Sequence, residues 1–80
     1  MTKQDVMDKV VEVIADSVEA EGEVTVDSHL ISDLGLSSME AMLILGDLEN
    51  EFGIDLPIND LKGIKTVGDL AQHVIKKLSE

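Results

Sequence analysis

Ser37-Ser38-Met39-Glu40-Ala41-Met42-Leu43-Ile44-Leu45-Gly46-Asp47-Leu48-Glu49-Asn50-Glu51-Phe52-Gly53 is the stretch on which the fold turns. Ser37 followed three residues later by Glu40 forms a capping box, in which the hydroxyl accepts from the backbone near Glu40 and the carboxylate reaches back to the Ser37 amide. Gly53 suits the left-handed backbone that follows a helix. The spacing therefore predicts a helix from Ser38 to about Phe52. Ala41, Ile44, Leu45, Leu48 and Phe52 share one face of it, wide enough to enter a core. Met39, Met42, Leu43 and Gly46 recur at i, i+3, i+4 and i+7 on a second face, well over a right angle away. Two readings fit this second stripe: a helix buried on both sides by a neighbouring loop, or an exposed strip that docks a partner. Docking is preferred for Met39, Met42 and Gly46, because methionines adapt to variable partners and glycine permits close approach.

Upstream, apolar residues recur at Val6, Val10, Ile14 and Val18, flanked by Met7, Val11 and Val13, and predict an amphipathic helix from Lys3 to Glu19. Thr2 with Asp5 supplies its cap. Glu21-Gly22-Glu23 breaks the pattern, and the stretch to Ser37 reads as a long loop. Loops of that length in a small domain are uncommon. The isolated Val24, Val26, Leu30, Ile31, Leu34 and Leu36 imply that this one is pinned to the core. Downstream, Leu56-Pro57 forbids continuation of the central helix. Ile58 to Gly63 has room for one short helical turn. Thr66-x-x-Asp69 then caps a last helix carrying Val67, Leu70, Ala71, Val74, Ile75 and Leu78. Lys76 and Lys77 lie in its final turn, where the helix dipole favours cations.

Composition narrows the class of protein. Eighty residues suffice for one domain, here residues 1–80, and not for two. No cysteine is present, which excludes a disulfide framework and a thiolate metal site. The apolar share of 44% comes almost wholly from aliphatic residues, with Phe52 the one aromatic, a palette that favours an all-α fold. A formal charge of −11 repels nucleic-acid backbones and anionic lipid and attracts basic protein patches. The polar N-terminus and the lack of a long apolar run predict no membrane insertion and a soluble, cytoplasmic protein, and a monomer is expected.

Within the serine pair, Ser38 is left without a structural task. Ser37 is explained by the cap, whereas Ser38 stands at the first helical position with its hydroxyl free at the positive end of the helix dipole, where a phosphodiester would be well placed. On position alone a solvated serine at a helix start is the favoured reading. A serine hydrolase would need a histidine base and an oriented acid, and neither His29 nor His73 has a supporting motif. Calcium is also excluded, since Asp27, Asp33 and Glu40 lack the loop spacing it requires.

Asp33-Leu34-Gly35-Leu36-Ser37-Ser38-Met39-Glu40 resembles the Asp-Leu-Gly-x-Asp-Ser-Leu-Asp signature of acyl carrier proteins. The similarity continues through Leu48-Glu49-Asn50-Glu51-Phe52, Ile54-Asp55-Leu56-Pro57 and Ile64-Lys65-Thr66-Val67-Gly68-Asp69-Leu70, nearly the whole chain. It implies a four-helix bundle with a short third helix and a long loop between helices one and two. It also implies a carrier without catalytic machinery. A phosphopantetheinyl transferase would move phosphopantetheine from coenzyme A onto Ser38, supplying the activation that a nucleophilic serine otherwise needs. Acyl groups would then ride as thioesters, sheltered by residues such as Leu48, Ile64 and Val67, between enzymes such as synthetases, ketosynthases or acyltransferases in fatty-acid, polyketide or related lipid biosynthesis. Met39, Glu40, Met42, Leu43, Gly46 and Glu49 would form the docking face.

Ser37 stands where the family usually has Asp. Leu43, Asn50, Ile58 and Lys62 dilute acidity that fatty-acid carriers usually carry, which points to a specialised carrier. The rival is a non-carrier helical interaction module that uses the Met39/Met42 strip and bears no prosthetic group.

Overall fold

The computed structural model describes residues 2–17 and 24–79. Helix α1, Lys3–Ser17, opens on the expected cap: the Thr2 amide donates to Asp5 Oδ2 at 3.0 Å and the Asp5 amide to Thr2 Oγ1 at 3.1 Å. Val18, Glu19 and the Glu21-Gly22-Glu23 break lie outside the described residues. Helix α2, Ser38–Phe52, ends at Gly53 with φ 65°. A single 3-10 turn follows at Ile58–Leu61, after Pro57, as the short-turn expectation required. Helix α3, Val67–Leu78, begins with a complete capping box between Thr66 and Asp69. The described residues are thus all-helical, three α-helices and one 3-10 turn, without a strand. None of these helices is long and apolar enough to cross a membrane.

Apolar periodicity becomes packing, with α1 set against both α2 and α3. Val6, Val10 and Ile14 of α1, Ile44, Leu45 and Leu48 of α2, and Val67, Leu70, Ala71 and Val74 of α3 are buried together. Each Val, Ile or Leu among them contributes roughly 1.5–3 kcal/mol by leaving water. Ala41 and Phe52, expected on the same stripe of α2, are half-buried at its margins. Lys9 Nζ reaches Glu51 Oε1 at 3.0 Å and ties α1 to α2 on the outside.

The loop before α2 is pinned, as its spaced leucines imply. Leu30 and Leu36 are buried in the core. Its backbone runs against the segment that enters α3: Leu30 N–H donates to Lys65 O at 2.9 Å, Val67 N–H to Ser28 O at 3.0 Å and Gly68 N–H to Val26 O at 2.8 Å. His29 and Thr66 form an isolated antiparallel bridge there. Gly68 has a steric reason, since a Cβ at that position would lie 3.0 Å from the Val26 carbonyl oxygen. The loop is therefore held by backbone polar groups as well as by leucines, which satisfies amides that burial would otherwise strand.

Candidate functional site

The start of α2 divides labour between its two serines. Ser37 Oγ accepts from the Glu40 amide and Glu40 Oε1 accepts from the Ser37 amide, both at 3.2 Å. The Ala41 amide donates to Ser37 O at 2.9 Å. Among the described residues the amides of Ser38 and Met39 have no acceptor, as expected for the first turn of a helix. Ser38 is exposed, and its hydroxyl likewise has no partner among the described residues. The positive end of the helix thus presents a free hydroxyl beside two unspent N–H groups.

Beside that hydroxyl lies an apolar groove of about 230 Å³. Leu30, Ile31 and Leu36 line it from the loop, Ala41 and Met42 from α2, and Ile58, Leu61 and Ile64 from the 3-10 turn and the residues after it. Ala41, the small member of its stripe, leaves room under Ser38. A larger depression of about 440 Å³ lies between the ends of α1 and α3, and none of the site residues lines it. Of the three residues expected to shelter cargo, Ile64 lines the groove. Leu48 and Val67 are fully buried in the core between the helices and do not line it.

The second stripe of α2 faces solvent. Met39 is 74% exposed, Met42 55% and Leu43 64%, so burial on both sides is not its explanation. Ile31, 74% exposed, and Ile58, 46% exposed, extend this apolar surface around the groove. Gly46 is half-buried, and a Cβ there would meet open space. Glu40 is exposed and serves the cap. Glu49 differs from the other residues of the expected docking set: its Oε2 accepts from the Leu56 amide at 2.9 Å and fastens the chain after α2 back onto the helix.

Three titratable groups beyond the expected set meet across the 3-10 turn and α3. His73 Nε2 lies 2.9 Å and Lys77 Nζ 3.4 Å from Asp60 Oδ2. The bond from His73, then that from Lys77, holds the Asp60 carboxyl below the ordinary aspartate value. Thirteen residues separate Asp60 from His73, so no local spacing announced the pair. Neither His73 nor His29 lines the groove at Ser38, which leaves Ser38 without a base there.

The site fits a tethered phosphodiester: an accessible hydroxyl, amide donors for an anion, and an apolar trough leading away. A family profile described as "Phosphopantetheine attachment site" matches residues 8–74. The acyl carrier protein of Clostridium perfringens is 38% identical over 68 residues, 84% of this chain and 90% of that protein. That of Thermotoga maritima is 35% identical over 78 residues, 96% of each. That of Amoebophilus asiaticus is 36% identical over 73 residues, 90% of this chain and 91% of that protein. Fold, groove and relatives agree: the chain belongs to the acyl carrier protein family, carriers rather than enzymes, which bear a covalent phosphopantetheine.

Proposed function

We propose that Ser38 is the phosphopantetheine attachment point and that the 80 residues act as one monomeric carrier domain in the cytoplasm. The observation that carries this reading is the contrast between neighbours: the Ser37 hydroxyl is spent on the cap, while the exposed Ser38 hydroxyl stands free at the mouth of the groove. The amides of Ser38 and Met39 favour the phosphate, and Ala41, Met42, Ile58, Leu61 and Ile64 offer an apolar bed for whatever the arm holds. The group itself supplies a terminal thiol that carries acyl chains as thioesters. In this reading the 3-10 turn is the short third helix of a four-helix bundle.

The carrier's partners are a phosphopantetheinyl transferase and acyl-loading or acyl-processing enzymes, such as synthetases, ketosynthases or acyltransferases. Met39, Glu40, Met42, Leu43 and Gly46 form their docking face, and Glu49 supports it from below through Leu56. Ser37, Leu43, Asn50, Ile58 and Lys62 lower the acidity of that face and favour a specialised carrier in a polyketide or lipid-modification route over the general fatty-acid carrier. Incubation of the apo chain with coenzyme A and a permissive transferase tests the reading: one phosphopantetheine mass should be added, and none to Ser38→Ala. An unmodified chain after trials with several broad-specificity transferases would remove Ser38 from this role.

A further inference from the structure

The wall of the groove opposite α2 is held at two ends and loosely between them. Leu56, 2% exposed, anchors one end, with its amide on Glu49. Val67, fully buried, anchors the other, with its amide on Ser28. Between these anchors the 3-10 turn Ile58–Leu61 buries none of its four side chains completely. Segments with few buried contacts open locally at lower cost than the fold as a whole. Ile58, Leu61 and Ile64 nevertheless depend on this segment for their place in the groove.

Among the described residues, one cluster supplies all the side-chain hydrogen bonds and ion pairs between this turn and a helix. Asp60 Oδ2 meets His73 Nε2 at 2.9 Å and Lys77 Nζ at 3.4 Å. His73 and Lys77 are four residues apart and so share one face of α3. The three side chains are only 22–25% exposed, which shields their attraction from solvent more than for a surface pair. Lys62, Asp69 and Lys76 border the same depression. Asp69 does not compete for the cations, because its Oδ2 already accepts from the amides of Lys65 and Thr66.

We propose that Asp60, His73 and Lys77 are positioning residues that clamp the Ile58–Leu61 turn against α3 and thereby set how readily the groove beside Ser38 opens. The functional meaning rests on the groove receiving cargo from Ser38; the clamp itself does not. Amide hydrogen exchange of the full apo chain reads it directly. The reporters are the amides of Asp60, Lys62 and Ile64, which donate to Pro57, Asn59 and Leu61 carbonyls at 2.9, 3.2 and 3.0 Å. Asp60→Ala should accelerate exchange at these amides about fivefold or more, whereas Val10→Ala, which destabilises the core away from the clamp, should accelerate the helix amides at Leu48 and Val74 and leave the turn amides near their wild-type rates. His73→Leu, which fills the volume without a donor, should match Asp60→Ala, and His73→Gln, which keeps an N–H, should retain most of the protection. Unchanged exchange in Asp60→Ala and His73→Leu would overturn the clamp. Acceleration of the turn amides by Val10→Ala as large as by Asp60→Ala would also overturn it, since the turn would then exchange only through general unfolding. The apo chain carries nothing on Ser38, so this outcome is independent of whether Ser38 is modified.

Discussion

Replacing Ser37 by alanine isolates the division of labour at the start of α2. The substitution removes the oxygen that accepts from the Glu40 amide at 3.2 Å, yet leaves the Ser37 amide able to donate to Glu40 Oε1. Half of the capping box is lost. Losses of an N-cap side chain span about 0.5–2 kcal/mol, and one exposed bond at the long end of the range argues for about 1 kcal/mol. In a domain of this size that corresponds to a fall in Tm of about 4–8 °C, or a urea midpoint lower by roughly 0.5–1 M. The chain has no Trp or Tyr, so far-UV circular dichroism is the suitable probe. Ser38→Ala is the internal control: its hydroxyl has no partner among the described residues, and stability should move by no more than about 0.5 kcal/mol. Ser37→Asp should recover the loss, because aspartate caps equally well and its charge favours a helix N-terminus by about 0.3–1 kcal/mol. Equal losses from Ser37→Ala and Ser38→Ala, or no loss from Ser37→Ala, would refute the assignment of the cap to Ser37.

Glu49→Ala strands the Leu56 amide, which the carboxylate now satisfies, and should cost about 1–3 kcal/mol in urea unfolding. Met42→Glu should leave stability within about 0.5 kcal/mol because the side chain is exposed, but should weaken capture by partner enzymes in a pull-down with the loaded chain. Acid should unfold the protein in a defined window. Asp60 is depressed by its bond from His73 and then by Lys77, Asp69 by the amides of Lys65 and Thr66, and Asp5 by the Thr2 amide. Each binds its proton less readily folded than unfolded, so its contribution is complete above the ordinary value of 3.8 and is lost as pH falls through the lowered folded values. Asp69→Asn should flatten that acid limb in a pH series of melts; an unchanged limb would contradict the sign.

The helices were legible because their signals are local. Ser37 with Glu40, Thr66 with Asp69 and Thr2 with Asp5 announce helix starts within three residues, and Val6, Val10 and Ile14 repeat at the period a buried face requires. The free hydroxyl of Ser38 was legible by subtraction, whereas its proposed role as attachment point came from resemblance. Groups that meet across the fold were hidden: Glu49 reads as an acid of the docking face until Leu56 is seen to need it, and Asp60 meets His73 only once α3 has docked. Which apolar residues border the groove was hidden for a related reason. Leu48 and Val67 are as apolar as Ile64, and only packing decides which apolar residues fill the core and which leave a groove.

The most direct test of the account is the position of the covalent group. The apo chain and its Ser37→Ala and Ser38→Ala variants would be incubated with coenzyme A and a broad-specificity phosphopantetheinyl transferase, and the peptide spanning the start of α2 sequenced by tandem mass spectrometry. The account predicts one phosphopantetheine on Ser38 in the parent chain and in Ser37→Ala, and none in Ser38→Ala. Modification at Ser37, or modification that persists in Ser38→Ala, would contradict it.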